Sequence, residues 1–77
     1  MPKVLEVNGY KFYIYTDDHV PVHVHVWKSG SEAKVIVVPE IMLKDNYGFK
    51  SKELRQIIDV LEEHYEFIIE KWHEIHG

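Results

Sequence analysis

Residues 51–77 read Ser-Lys-Glu-Leu-Arg-Gln-Ile-Ile-Asp-Val-Leu-Glu-Glu-His-Tyr-Glu-Phe-Ile-Ile-Glu-Lys-Trp-His-Glu-Ile-His-Gly, and the spacing of their apolar side chains decides the helical half of the fold. Leu54, Ile58, Leu61, Tyr65, Ile68, Trp72 and Ile75 recur at intervals of 4, 3, 4, 3, 4 and 3, the period of one face of an α-helix. Ile57 widens the stripe, and most charged side chains lie off it. Ser51 is suited to the N-cap, and Glu53 falls in the first turn, where a carboxylate favours the helix dipole. Gly77 can end the helix. The reading is one long C-terminal helix, spanning roughly 37 Å over residues 52–76 at about 1.5 Å per residue.

Toward the N-terminus the period changes to that of strands. Val4-Leu5-Glu6-Val7 leads into Asn8-Gly9, a dipeptide that accepts the positive φ angles of a type I′ hairpin turn. In Tyr10 to Tyr15, Phe12 and Ile14 alternate with Lys11, Tyr13 and Tyr15, so the two sets face opposite sides of a sheet. Thr16-Asp17-Asp18-His19 reads as a loop. From Val22 to Trp27 the alternation is strict, with three valines on one side and His23, His25 and Trp27 on the other. Gly30, between Ser29 and Ser31, breaks the chain again. Ala33 to Val38 is a fourth strand, apolar at nearly every position after Lys34, as a strand covered on both faces would be. Glu40 to Lys44 is ambiguous between a short strand and a helical turn, and Asp45 to Gly48 reads as a turn. The expected architecture is α+β: a small antiparallel sheet of about four strands packed on one long C-terminal helix. Residues 1–77 form a single domain, with a β-rich portion over 1–50 and the helix over 51–77.

Strands of five or six residues are only about 17 to 20 Å long, so a helix of roughly 37 Å overhangs the sheet. Its stripe continues to Trp72 and Ile75, which then need cover from residues 40–49 or from a second molecule. A homodimer with Trp72 and Ile75 at its interface is the expectation. Size supports help of this kind, because 77 residues bury a smaller share of their surface than a larger domain does. With no cysteine in the chain, the help comes from a metal, a partner chain or self-association.

Cysteine-free composition suits a reducing compartment. Met1-Pro2-Lys3-Val4 lacks the apolar core of a signal peptide, and no run approaches the roughly 18 apolar residues of a membrane span. The expected localisation is cytoplasmic, with no membrane partner. Residues 1–50 hold six lysines and six carboxylates, whereas residues 51–77 hold three cations and seven acids, so the helix half carries the whole net charge of −4. A broad basic footprint for nucleic acid is absent, and a polyanion would approach the sheet half.

His23 and His25 are the pair around which chemistry can be argued. Two residues apart on a strand, their imidazoles emerge on the same face, suited to chelating one ion such as zinc or to holding one anionic group. A third metal ligand would come from His19, Asp17, Asp18, His73 or His76, none of which has diagnostic spacing. A metal-free alternative uses the two rings as general base and acid, enough to cleave a phosphodiester by attack of a 2′-hydroxyl. Tyr13, Tyr15 and Trp27 could then stack single-stranded bases, with Lys11 and Lys28 as the nearest cations. The blander reading is that these histidines and rings line a polar sheet face or a protein interface. His73 and His76 are accounted for by the favourable placement of positive charge near a helix C-terminus, and no role is read for His64.

Met1-Pro2-Lys3-Val4-Leu5, the aromatic strand Tyr10 to Tyr15, Pro21-Val22-His23-Val24-His25-Val26, the segment Gly48 to Arg55 and the terminal Trp72-His73-Glu74 together resemble the small bacterial family known as domain of unknown function 4160. The likeness spans nearly the whole chain; Val22 stands where the family's Pro-Pro-His-x-His-Val motif has its second proline. The resemblance implies a compact β-rich domain with a C-terminal helix, and His23, His25, Trp72 and His73 match motif positions. It also implies membership of a toxin-antitoxin-like module encoded beside another small protein. The functional expectation is a component of such a module, a ribonuclease-type toxin that uses His23 and His25 without metal, with RNA as substrate and a small cognate protein as partner. The alternative is a non-catalytic module that binds a metal or a partner protein through its His/aromatic face.

Overall fold

The computed structural model describes residues 3–77; Met1 and Pro2, which begin the family-like opening motif, lie outside the described residues. Five strands come first: β1 (Lys3–Val7), β2 (Tyr10–Tyr13), β3 (His23–Lys28), β4 (Ser31–Ile36) and β5 (Met42–Tyr47). Two helices follow, α1 (Ser51–Glu63) and α2 (Tyr65–His76). The strands form one antiparallel meander in the order β1-β2-β3-β4-β5, and the fold is α+β.

Local chemistry accounts for the first two hairpins formed around two-residue turns. Asn8 and Gly9 have φ of 53° and 83°, and Ser29 and Gly30 have 50° and 83°, the paired positive values whose twist matches that of flanking strands. The registers then place Tyr10, Phe12, Val24, Val26, Ala33 and Val35 on one face, where all are buried. Ile57, Val60, Leu61 and Ile68 of the helices are buried in the same core, and each large aliphatic side chain buried in this way contributes about 1.5–3 kcal/mol. The Tyr10 hydroxyl adds a polar tie to α1, donating to Gln56 Oε1 at 2.6 Å. Val22 is also buried, and its carbonyl accepts the Val37 N–H at 2.8 Å.

Several expectations need correction. The sheet has five strands, because Met42–Tyr47 is an edge strand whose Met42, Leu43 and Tyr47 are exposed. With little apolar burial to enforce alternation, its sequence carried no strand period. The register shifts opposite Lys34 and Val35, which pair with Asp45 and Leu43, so Lys44 is the extra residue of a β-bulge. The same edge leaves β4 covered on one face only: Ala33, Val35 and Val37 are buried while Lys34 and Ile36 are half-buried.

The C-terminal helix is two helices rather than one. His64 leaves helical geometry with φ −110° and ψ 24°, and its backbone N–H and its Nδ1 both donate to the Val60 carbonyl, at 3.0 and 2.9 Å. A side chain that competes for a ladder carbonyl is a recognised cause of kinks, so His64 does have a structural role. At its start, α1 is preceded by Lys50 rather than Ser51 as the N-cap. A lysine cannot accept a hydrogen bond, and Glu53 instead reaches back to accept the Lys50 N–H at 2.8 Å.

The kink removes the overhang. A straight helix of this length, roughly 39 Å, would exceed the largest dimension of the molecule, 34 Å. Trp72 is only 4% exposed and Ile75 packs against the core, so the cover for both comes from the chain itself and the reason for placing them at a dimer interface falls away. Gly48, between β5 and α1, has φ of 107°, and a Cβ there would lie 2.7 Å from Ser31 Oγ.

Candidate metal centre

Alternation along β3 sends Val24 and Val26 into the core and turns His23 and His25 to the other face, where their rings stand 5.2 Å apart. The loop after Tyr15 supplies the third member. Asp18 N–H donates to the Tyr15 carbonyl at 3.1 Å, and Tyr15 N–H donates to Asp18 Oδ2 at 2.9 Å. This reciprocal pair closes a four-residue turn that holds the Asp18 carboxylate over the two imidazoles.

The three groups converge. Nε2 of His25 lies 3.3 Å from both carboxylate oxygens of Asp18, and Nε2 of His23 lies 3.4 Å from Oδ1. All three side chains are largely withdrawn from solvent, with exposures of 5% for His23, 13% for Asp18 and 19% for His25. Burial pushes the Asp18 carboxyl up, but the Tyr15 N–H, the His25 hydrogen bond and the charges of both imidazoles outweigh it and hold the group below the usual carboxylate range.

Hydrogen-bond accounting makes the arrangement chemically specific. Nδ1 of His23 lies 2.8 Å from the Pro21 carbonyl, which can only accept, so Nδ1 carries a proton and donates. In a neutral ring Nε2 would then present a lone pair to a carboxylate that also offers only lone pairs. A positive centre at Nε2, a proton or a metal ion, resolves the conflict. Zinc bonds of about 2.0–2.1 Å in a tetrahedral array put donor atoms roughly 3.3–3.4 Å apart, which is the spacing of the nitrogens from the carboxylate here. An imidazole that donates through one nitrogen to a backbone carbonyl and ligates through the other is also the usual outer-shell pattern of metal sites.

Of the five residues considered as a third ligand, only Asp18 joins the histidines. Donor atoms of Asp18, His23 and His25 all lie within 4.8 Å of one another, the one such group among the described residues. Asp17 and His19 are exposed on the rim of a neighbouring pocket, and His73 is exposed on α2. His76 comes close without joining: its Nδ1 lies 2.8 Å from the Trp72 carbonyl and its Nε2 3.2 Å from the Tyr15 carbonyl. It pins the end of α2 to the loop that carries Asp18, while Trp72 packs between His23 and His76, at ring distances of 5.3 and 4.1 Å. These loop and helix contacts bridge distant parts of the chain, and no short motif signals them.

Lys11, Tyr13, Tyr15, Trp27 and Lys28 line one concavity of 440 Å³, which neither His23 nor His25 lines. Tyr13 and Tyr15 stack at 6.1 Å, and the Tyr15 ring lies 4.7 Å from that of His25. Lys28 extends to the ring of Tyr10, 4.3 Å from its centroid. No helix among the described residues is long and apolar enough to cross a membrane.

Residues 9–73 match the profile of a family described as Domain of unknown function (DUF4160). No curated protein and no solved structure matches the chain.

Proposed function

Because the chain belongs to the DUF4160 family, whose description assigns no activity, its role has to be argued from its own residues, and we propose that it is a small metalloprotein that holds a divalent ion, zinc by preference, on Asp18, His23 and His25. The observation that carries the reading is the anchored His23 ring, whose Nδ1 is committed to the Pro21 carbonyl while its Nε2 faces a carboxylate at 3.4 Å. Two nitrogens and one oxygen suit zinc and its first-row neighbours better than calcium or magnesium. Three protein ligands leave a fourth position, the pattern of zinc sites that polarise a bound water or substrate oxygen.

The metal-free ribonuclease reading is less well supported by the same geometry. An acid–base pair has to reach opposite sides of a reacting phosphate. Here both Nε2 atoms converge on Asp18, and His23 is 4% exposed. A place in a toxin-antitoxin-like module is a separate question of partners and targets, which a metal-binding domain could serve.

The test is metal analysis of untagged protein after equilibration with zinc and exhaustive dialysis. About one zinc per chain is expected, with loss in His23→Ala/His25→Ala and in Asp18→Asn variants whose circular dichroism stays native. Wild-type protein that retains no zinc would overturn the reading. RNA cleavage by metal-stripped wild type, abolished by the double histidine variant, would restore the acid–base alternative.

A further inference from the structure

A second concavity, of 340 Å³, opens directly beside the centre: Asp18 and His23 line it together with Lys34 and Lys44. Resting on the metal reading above, we propose that this pocket binds a small phosphate ester, its anionic head held by the two ammonium groups next to the ion.

The lysines converge for a structural reason. Lys34 is the cross-strand partner of His25, so its side chain shares the histidine face. Lys44 would alternate away from its neighbour Asp45 in a regular strand, but the bulge between the Lys34 and Val35 pairings makes it the unpaired residue and it lines the same pocket. Re-aiming a side chain is a common consequence of a bulge beside a site. Protection against strand pairing is the ordinary role of an exposed edge-strand lysine and accounts for the exposure of Lys44, but not for its place in the lining of the pocket that holds Asp18 and His23. Among the described residues, neither lysine has a carboxylate within ion-pair distance.

Charge decides the ligand class. The walls carry Asp17 and Asp18 against Lys34 and Lys44, so without an ion the formal charges of these four cancel. A divalent ion raises the sum to +2, or to +1 when Asp45, the cross-strand partner of Lys34, is counted with them, and anion binding is then coupled to metal binding. Two lysines acting as point charges suit a phosphate dianion. The pocket is larger than a bare phosphate requires, and Val20, Pro21 and Ile36 give it an apolar wall for the organic part of an ester.

Isothermal titration calorimetry with phenyl phosphate tests this on protein whose zinc content has first been measured. Zinc-loaded wild type should bind phenyl phosphate at least about tenfold more tightly than metal-free protein, within the usual range of site coupling. Lys34→Gln/Lys44→Gln should lose about tenfold while keeping one zinc per chain, and inorganic phosphate should bind more weakly than the phenyl ester. Equal affinity with and without zinc, or an unaffected double lysine variant, would overturn the proposal while leaving the metal site standing. Benzoate binding more tightly than phenyl phosphate would overturn the assignment to phosphate. Failure of wild type to hold zinc would be seen before any titration and would remove both readings.

Discussion

Replacing Asp18 by asparagine keeps the shape of the side chain and an oxygen able to accept the Tyr15 N–H, but removes the charge that faces both imidazoles. The Nε2 atoms lie 3.3 and 3.4 Å from the carboxylate oxygens. The carboxylate is one of the three proposed protein ligands, and since loss of even an outer-shell partner costs about 10–100-fold in metal affinity, loss of a ligand belongs at or above the top of that range. About a hundredfold in dissociation constant, roughly 2.7 kcal/mol, is the expected loss. Competition of the protein with a chromophoric zinc chelator at neutral pH measures it. Asp17→Asn is the matched control, since that neighbouring carboxylate is exposed and lies outside the cluster; its affinity should stay within about threefold of wild type, the scale on which screened surface charges act. Asp18→Asn binding zinc as wild type does, or Asp17→Asn losing as much as Asp18→Asn, would refute the assignment of Asp18 as the third ligand.

The depressed ionisation of Asp18 has a definite sign in acid. A carboxyl whose folded value lies below its unfolded value of about 3.9 contributes stability that is present above the latter and disappears as pH falls through the folded value; the gap in urea midpoint between metal-free wild type and Asp18→Asn should therefore shrink below about pH 4, and a gap that widened there would contradict it. Trp72→Ala should cost about 3–5 kcal/mol in chemical denaturation, as for a buried tryptophan; a loss below about 1 kcal/mol would mean that the end of α2 is not docked against His23. Gly48→Ala combines a φ of 107° with a Cβ placed 2.7 Å from Ser31 Oγ, so a loss of at least about 1–3 kcal/mol is expected, and a neutral outcome would show that the β5–α1 turn can rearrange.

Much of the fold was legible because burial imposes a period on the sequence. The Tyr10 to Tyr15 and Val22 to Trp27 alternations and the apolar stripe from Leu54 to Ile75 follow from one face packing into the apolar core and the other carrying polar and aromatic groups, and the Asn8-Gly9 turn from its tolerance of positive φ. Where that contrast fails, so does the period: β5 is a largely exposed edge whose bulge at Lys44 breaks alternation, which leaves Asp45 to Gly48 with the composition of a turn. The kink at His64 has no compositional marker such as proline or glycine. It depends on a side chain reaching a carbonyl four residues back, and it converts an apparent overhang into a helix end folded onto its own sheet.

From the sequence alone it was determined that His23 and His25 share a face with Tyr13, Tyr15 and Trp27 while Val24 and Val26 point inward, because strand alternation is a local property of the backbone. Which group completes the pair was decided only in three dimensions. Asp18 lies on a loop whose turn is closed by its own hydrogen bonds to Tyr15, and the Pro21 carbonyl sets which nitrogen of His23 faces it. Sequence spacing carries period but not loop direction. Convergence of a loop carboxylate, two strand imidazoles and the lysine of an edge bulge therefore belongs to the folded chain and not to any one segment of it.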